Sequence, residues 1–199
     1  MIIIVEGQDR VGKTTQIELL RNSYVHSSPV VKYSKIKPKY KHNPEHIFEK
    51  SKLLYEEMFN MIFDSAADER DLILDRAHLG EYVYSKRYRS YSGKYVFDLE
   101  KQFVNDVDLW VDNIYLIILI NSDLEELYKR DDCLSHSNAI EAMATDKIRF
   151  MKAYKKSTIP NKCIIDCNGL TSDVVHKKIL EFLKLKPIVE EKMSDYEYE

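Results

Sequence analysis

Met1-Ile2-Ile3-Ile4-Val5-Glu6-Gly7-Gln8-Asp9-Arg10-Val11-Gly12-Lys13-Thr14-Thr15-Gln16 opens the chain, and its reading decides the fold. Ile2 to Glu6 is a nearly continuous apolar run, the pattern of a strand buried on both faces in a parallel sheet. Gly7, Gly12, Lys13 and Thr14 then stand at the G-x-x-x-x-G-K-T spacing of a phosphate-gripping loop. Lys13 to Asn22 reads as the helix that follows, with Ile17, Leu19 and Leu20 available for packing. The chemistry explains the residue types. Glycines let backbone N–H groups turn toward phosphates, and a helix N-terminus adds a favourable dipole. In such a loop Lys13 reaches the β- and γ-phosphates of ATP, and the Thr14 hydroxyl ligates Mg2+.

Beyond this stretch, strands and helices alternate. Val30 to Tyr33 reads as a second strand and Pro44 to Ala67 as a long helix, with Ile47, Leu54, Met58 and Ile62 at helical spacing and Asn43 as its cap. Asp71 to Asp75 is a third strand. Phe97 to Val111 follows as a helix, and Asn113 to Ile120 as a very apolar central strand. Ser122 to Arg130 reads as a helix with Ser122 as cap and Glu125 completing a capping box. Ala139 to Ser157 is helical, Lys162 to Asp166 a fifth strand, and Ser172 to Leu183 a closing helix. This order predicts an α/β, doubly wound domain on a parallel sheet, with its site outside the carboxyl ends of the strands. The phosphate loop, Asp75-Arg76 and the Asn121 region all fall at those ends.

At 199 residues the chain suits one domain, read as residues 1–186, with 187–199 as an acidic, solvated tail. That tail carries five acids and one lysine, so the net charge of −3 hides a nearly neutral body. No global basic field announces nucleic acid. No stretch has the length of a membrane span or the flanks of a signal peptide, so a soluble, cytoplasmic protein is expected. Cys133, Cys163 and Cys167 form neither a disulfide framework nor a zinc pattern; Cys163 and Cys167 flank a strand and read as apolar packing.

Glu6-Gly7-Gln8-Asp9-Arg10-Val11-Gly12-Lys13-Thr14-Thr15-Gln16 resembles the loop of thymidylate kinases, whose pattern is close to E-G-x-D-R-x-G-K-[ST]-T-Q. The resemblance implies the P-loop NTPase fold, a five-stranded parallel sheet with helices on both faces. It implies ATP bound by Gly7, Gln8, Asp9, Arg10, Val11, Gly12, Lys13, Thr14 and Thr15, with Arg130 near the adenine or the phosphates. A surface lysine–arginine pair explains Lys129-Arg130 equally well. By the same resemblance Asp9 contacts the acceptor sugar, while Arg10 and Lys13 serve the transferred phosphoryl group. Such kinases place a lid between Arg130 and Asn138, where this chain has no arginine; members with a loop arginine often lack one there. Homodimers are common in that family.

Asp75-Arg76 is similar to the start of the family's D-R-[YFS] motif, with Ala77 in third place. That similarity assigns Arg76 to the acceptor phosphate and Asp75, with Thr14, to Mg2+ or its waters. A salt bridge between the two neighbours is the structural alternative. Glu81 is a candidate acceptor-positioning acid, and His78 reads as a helix-start residue. From Tyr82 to Tyr95 there are five tyrosines, four basic residues and no acid, a surface suited to a nucleotide. Helical packing of Tyr84 on Tyr88 accounts for part of it. Phe63 fits the family's base-stacking aromatic, but Ala67 stands where the family has a base-reading arginine.

The leading expectation is therefore an ATP-dependent kinase acting on a thymidylate-like deoxynucleoside monophosphate. A viral branch that phosphorylates 5-hydroxymethyluracil within DNA is the neighbouring reading, favoured by Lys32, Lys35, Lys37, Lys39 and Lys41 beside Tyr33 and Tyr40. A deoxynucleoside kinase would need a carboxylate base near the end of the second strand, where Tyr33-Ser34-Lys35 offers none. A non-catalytic nucleotide-binding regulator remains from a different class; the guanine-reading N-K-x-D pattern of a switch GTPase is absent.

Overall fold

The computed structural model describes residues 1–23, 29–32, 43–105, 113–130 and 139–185. The expected lid, most of the lysine-rich segment, Cys133 and the acidic tail lie outside them. Its five strands are β1 (Ile2–Gly7), β2 (Val30–Lys32), β3 (Leu72–Asp75), β4 (Ile114–Ile120) and β5 (Asn161–Asp166). The helices are α1 (Lys13–Ser23), α2 (Pro44–Ala67), α3 (His78–Tyr88), α4 (Tyr95–Asn105), α5 (Leu124–Lys129), α6 (Ile140–Lys156) and α7 (Ser172–Leu183). The strands form one parallel sheet in the order β2-β3-β1-β4-β5.

Strand alternation explains why the sheet is covered on both faces. Ile2 and Ile4 enter one core with Leu72, Leu74, Leu116 and Ile118, roofed by α2, α3, α4 and α6. Ile3 and Val5 enter the other with Ile73, Ile117 and Leu119, closed mainly by α1 and α7. Burying these four β1 side chains contributes on the order of 10 kcal/mol of transfer free energy, an upper estimate against an extended chain. The register Ile4↔Leu74 and Ile4↔Leu116 aligns the carboxyl ends of β3, β1 and β4, and thereby places the loops that follow them on one edge.

Helix ends follow the local chemistry. Asn43 caps α2 as expected, its side chain accepting from the His46 N–H at 3.1 Å. The α5 cap is Asp123 rather than Ser122: Asp123 accepts from the Glu126 N–H at 2.9 Å. Asn121 Oδ1 takes the Asp123 N–H at 2.8 Å and sets that register one residue later. Ala77, before α3, has no capping side chain of its own. The Glu6 carboxylate supplies the cap from the end of β1, accepting the N–H groups of Ala77 at 2.8 Å and Gly80 at 2.9 Å.

Cys163 and Cys167 are free and pack in the α1/α7 core, as the apolar reading expects. Among the described residues no helix is long and apolar enough to cross a membrane.

Candidate active site at the carboxyl ends of β1 and β3

The turn from β1 to α1 is shaped by steric necessity at Gly7. Its φ is +139°, and a Cβ there would stand 2.0 Å from the Leu119 carbonyl oxygen on β4. No side chain fits. Gly12, at φ +86°, uses a backbone region that disfavours side chains but has open space around it. Arg10 adopts φ +66° without being glycine, a local strain held by the surrounding loop. Gln8 is buried and acts as a tie: its amide oxygen accepts the Asn121 N–H at 2.9 Å and its amide nitrogen donates to Met143 O at 3.2 Å. The expected ATP-binding residue Gln8 thus has its side chain committed to β4 and α6.

Lys13 folds back into the loop. Its ammonium donates to Gly7 O at 3.2 Å and to Gln8 O. Burial lowers its pKa to about 7, the Arg76 charge adding to that effect while Asp9, Glu6 and Asp75 oppose it. Thr14 and Thr15 are exposed on the first turn of α1. The Arg10 guanidinium reaches toward α5, donating to Tyr128 O at 3.4 Å.

From β3, Asp75 and Arg76 do not pair with each other. Asp75 accepts Lys32 Nζ at 2.9 Å, whereas Arg76 bonds the Asp9 carboxylate and donates to Gly7 O at 3.4 Å. The Arg76 guanidinium also lies 5.6 Å from the centroid of the Tyr84 ring, a cation–π contact. Burial pulls its pKa down, but Tyr84, Asp9 and Glu6 outweigh this and leave it raised. The result is a fixed cation facing the phosphate loop. Glu6, fully buried beneath it, has a raised pKa through desolvation, opposed by its Gly80 hydrogen bond and by Arg76.

A second polar group lies between α2, α3 and the turn at residues 90–94. Glu81 is buried and accepts Ser51 Oγ–H at 2.9 Å, the Tyr91 hydroxyl at 2.5 Å and the Arg89 guanidinium. Ser51 also shares a hydrogen bond of 2.8 Å with the Tyr95 hydroxyl, and Phe48 packs edge-on to Tyr91 and Tyr95 at 5.4 and 5.2 Å. Phe63 is not brought to this group. It lies near the end of α2 that turns directly into the amino end of β3, about 22 Å along the helix axis from Phe48. Ser51, Tyr55 and Phe48 are what α2 presents here, and sequence reasoning missed all three. Arg89 stood within the tyrosine-and-basic stretch, unassigned. Tyr84 meets Tyr88 at 6.1 Å between centroids, as its helical spacing predicts, and also faces Arg76.

On the donor side, Arg130 pairs with Glu126 and borders a cavity of about 200 Å3 formed with Val11, Gly12, Thr15, Gln16 and the turn from Cys167 to Ser172. A larger cavity, about 430 Å3 between Pro29, Met61, Asp64, Arg70 and Leu72, opens at the amino ends of β2 and β3, away from the loop. Among the described residues no three His, Cys, Asp or Glu side chains gather to hold a metal.

No protein-family model and no curated protein matches the chain. Solved structures do. The YorR protein of Bacillus subtilis, solved in complex with phosphorylated GDP, superposes with a TM-score of 0.65 at 18% identity, covering 92% of this chain and 96% of that one. The chain has the P-loop NTPase fold, as expected. Thymidylate kinase from Candida albicans matches with a TM-score of 0.56 at 17% identity, over 92% of this chain and 90% of its own. Deoxyadenosine kinase from M. mycoides with bound dATP matches at 0.55 and 16% identity, over 92% and 100%. Within this fold, the expected site residues Gly7, Asp9, Lys13, Thr14, Asp75 and Arg76 stand on one edge of the sheet, and Glu81 and Tyr84 on the helix that follows.

Proposed function

We propose that the chain is an ATP-dependent kinase that transfers the γ-phosphate to a thymidylate-like deoxynucleoside monophosphate. The observation that carries this reading is the placement of Arg76, paired with Asp9, against the same loop that holds Lys13. Two basic groups, one from the first turn of α1 and one from the end of β3, then address one small space. Lys13 serves the donor phosphates and Arg76 the acceptor phosphate, so that repulsion between two anions is offset where they must meet.

Asp9, at the loop's centre, is positioned between Arg76 and an incoming sugar hydroxyl. The cavity beside Arg130 suits the donor base. An ionised phosphate oxygen attacks the γ-phosphorus, the bond to the β–γ bridging oxygen breaks, and ADP leaves; no base is required to remove a proton. At the end of β2, among the described residues, Lys32 pairs with the Asp75 carboxylate. The donor set fits magnesium, which keeps most of its waters and phosphate ligands and needs few protein groups. The Thr14 hydroxyl and the Asp75 carboxylate would hold it, and when bound it neutralises charge on the phosphates.

A coupled ADP-release assay across deoxynucleoside monophosphates tests the proposal, and absence of turnover with all of them overturns it. Labelled γ-phosphate offered to DNA containing 5-hydroxymethyluracil separates the neighbouring reading. That reading draws on the lysine-rich segment, on the tyrosine-and-basic stretch from Tyr82 to Tyr95 and on Ala67 in place of a base-reading arginine; residues 33–41 lie outside the described structure.

A further inference from the structure

We infer that Arg89 reads the acceptor base, selecting bases that present a carbonyl oxygen (thymine, uracil, guanine) over those that present an amino group there (cytosine, adenine). The inference rests on the kinase reading for its substrate class, but its geometry stands apart.

The polar group around Glu81 has little acceptor capacity left. A carboxylate offers about four lone-pair directions, and Ser51, Tyr91 and Arg89 take three. The Glu81 side chain is also 0% exposed, whereas that of Arg89 is 19% exposed. A ligand therefore meets the guanidinium and not the carboxylate. Arginine carries five N–H donors in a planar fork. Among the described residues the only hydrogen bond the guanidinium makes is to Glu81. What this group offers a ligand is donors.

The fork is also held in place. Arg89 is the C-cap of α3, its N–H bonded to Ser85 O at 2.8 Å, and Glu81 fixes its head. The turn after it is pressed onto α3: a Cβ on Gly93 would stand 2.6 Å from both Glu81 O and Ser85 Oγ. Phe48, Tyr91 and Tyr95 form an aromatic cluster around the same Glu81, Tyr91 bonding it directly and Tyr95 through Ser51, and such rings are surfaces on which a flat base can pack. α3 links this place to the phosphate loop, since Gly80, the residue before Glu81, donates its N–H to Glu6 at the end of β1. Glu81 is thus a positioning residue whose buried charge orients Arg89, and the base-specific contact belongs to the arginine.

Equilibrium binding of dTMP, dUMP, dGMP, dCMP and dAMP, measured calorimetrically without ATP, tests this independently of turnover. The carbonyl-bearing nucleotides should bind on the order of 10- to 100-fold more tightly, the usual discrimination of a hydrogen-bonded base edge. Arg89→Met should erase that ratio by weakening those ligands alone, and Arg89→Lys should restore only part of it. Should Arg89→Met fail to fold, the double variant Glu81→Gln/Arg89→Met, which leaves no unpaired buried charge, gives the same readout. Preference without phosphate transfer would overturn the kinase reading and uphold the role of Arg89. Turnover with no preference in the wild type, or a variant that weakens all five nucleotides equally, overturns the inference and leaves the kinase intact.

Discussion

Raising the pH from 8 to 9 should weaken nucleotide binding tenfold, through the single ammonium of Lys13. In the ligand-free protein burial holds its pKa at about 7, against an ordinary 10.5. At pH 8 about nine-tenths of the molecules carry a neutral Lys13, by the logarithmic definition of pKa. A bound polyphosphate places anionic oxygens where the Gly7 and Gln8 carbonyls now accept, and so returns the group to its charged form. Binding at pH 8 should then take up about 0.9 proton per site, and each further pH unit costs about 1.4 kcal/mol. The nucleotide's own last ionisation, near pH 6, is complete in this range and contributes nothing. Calorimetric titration of ADP in two buffers of different ionisation enthalpy reads the uptake directly.

Lys13→Arg, which stays protonated, should show no uptake and no pH slope between 8 and 9. Uptake below about 0.2 proton at pH 8, or the same slope in wild type and variant, would refute the reasoning. The sign for folding is a separate consequence. Between pH 7 and 10.5 the unfolded chain binds the extra proton, so the ligand-free protein gains stability from this group as pH rises through that window.

Two further outcomes concern stability. Gly7→Ala forces a Cβ against the β4 backbone at 2.0 Å and should cost more than about 4 kcal/mol, whereas Gly12→Ala, with nothing within 4 Å, should cost about 1 to 2 kcal/mol for its φ alone; equal midpoints in urea would contradict this. Glu100 is buried against His78, at 2.5 Å, and accepts from Ser157 and Thr158. Burial raises its pKa, but the hydrogen bond and charge of His78 and the bonds from Thr158 win and lower it to about 2. Its stabilisation is present above pH 4.5 and lost as pH falls toward 2, worth about 3 kcal/mol across that window. Urea unfolding of Glu100→Gln should therefore be the flatter of the two between those pH values.

How much of this was legible beforehand depends on how local the cause is. The bounds of α2 and α7 follow from caps and periodicity, and they match residue for residue. The phosphate loop reads directly because its strand, glycines and lysine are contiguous. Ser122 and Asp123 are both good caps, and only the Asn121 side chain decides between them. Phe63 lies on the expected helix, but periodicity identifies a face and not which end of a 24-residue helix meets the Glu81 group. The partners of Asp75 and Arg76 are Lys32 and Asp9, brought together by the sheet. Glu100 and Thr158, 58 residues apart, meet only once α4 packs beside the end of α6. Burial is the other missing quantity: Glu100 reads as one more surface acid until the fold encloses it.

The Glu6 carboxylate, which caps α3 from the end of β1, is the joint between the two halves of the candidate site. Gly7 follows it directly in the chain, and Ala77 and Gly80 hang from its one oxygen across the sheet. The start of the phosphate loop and the first turn of α3 are therefore anchored on one residue, which sets the spacing between the loop that holds Lys13 and the helix that carries Glu81 and Tyr84. Glutamine at this position would keep the oxygen but add an amide beside Gly80, whose Cβ position is only 3.3 Å from the second Glu6 oxygen.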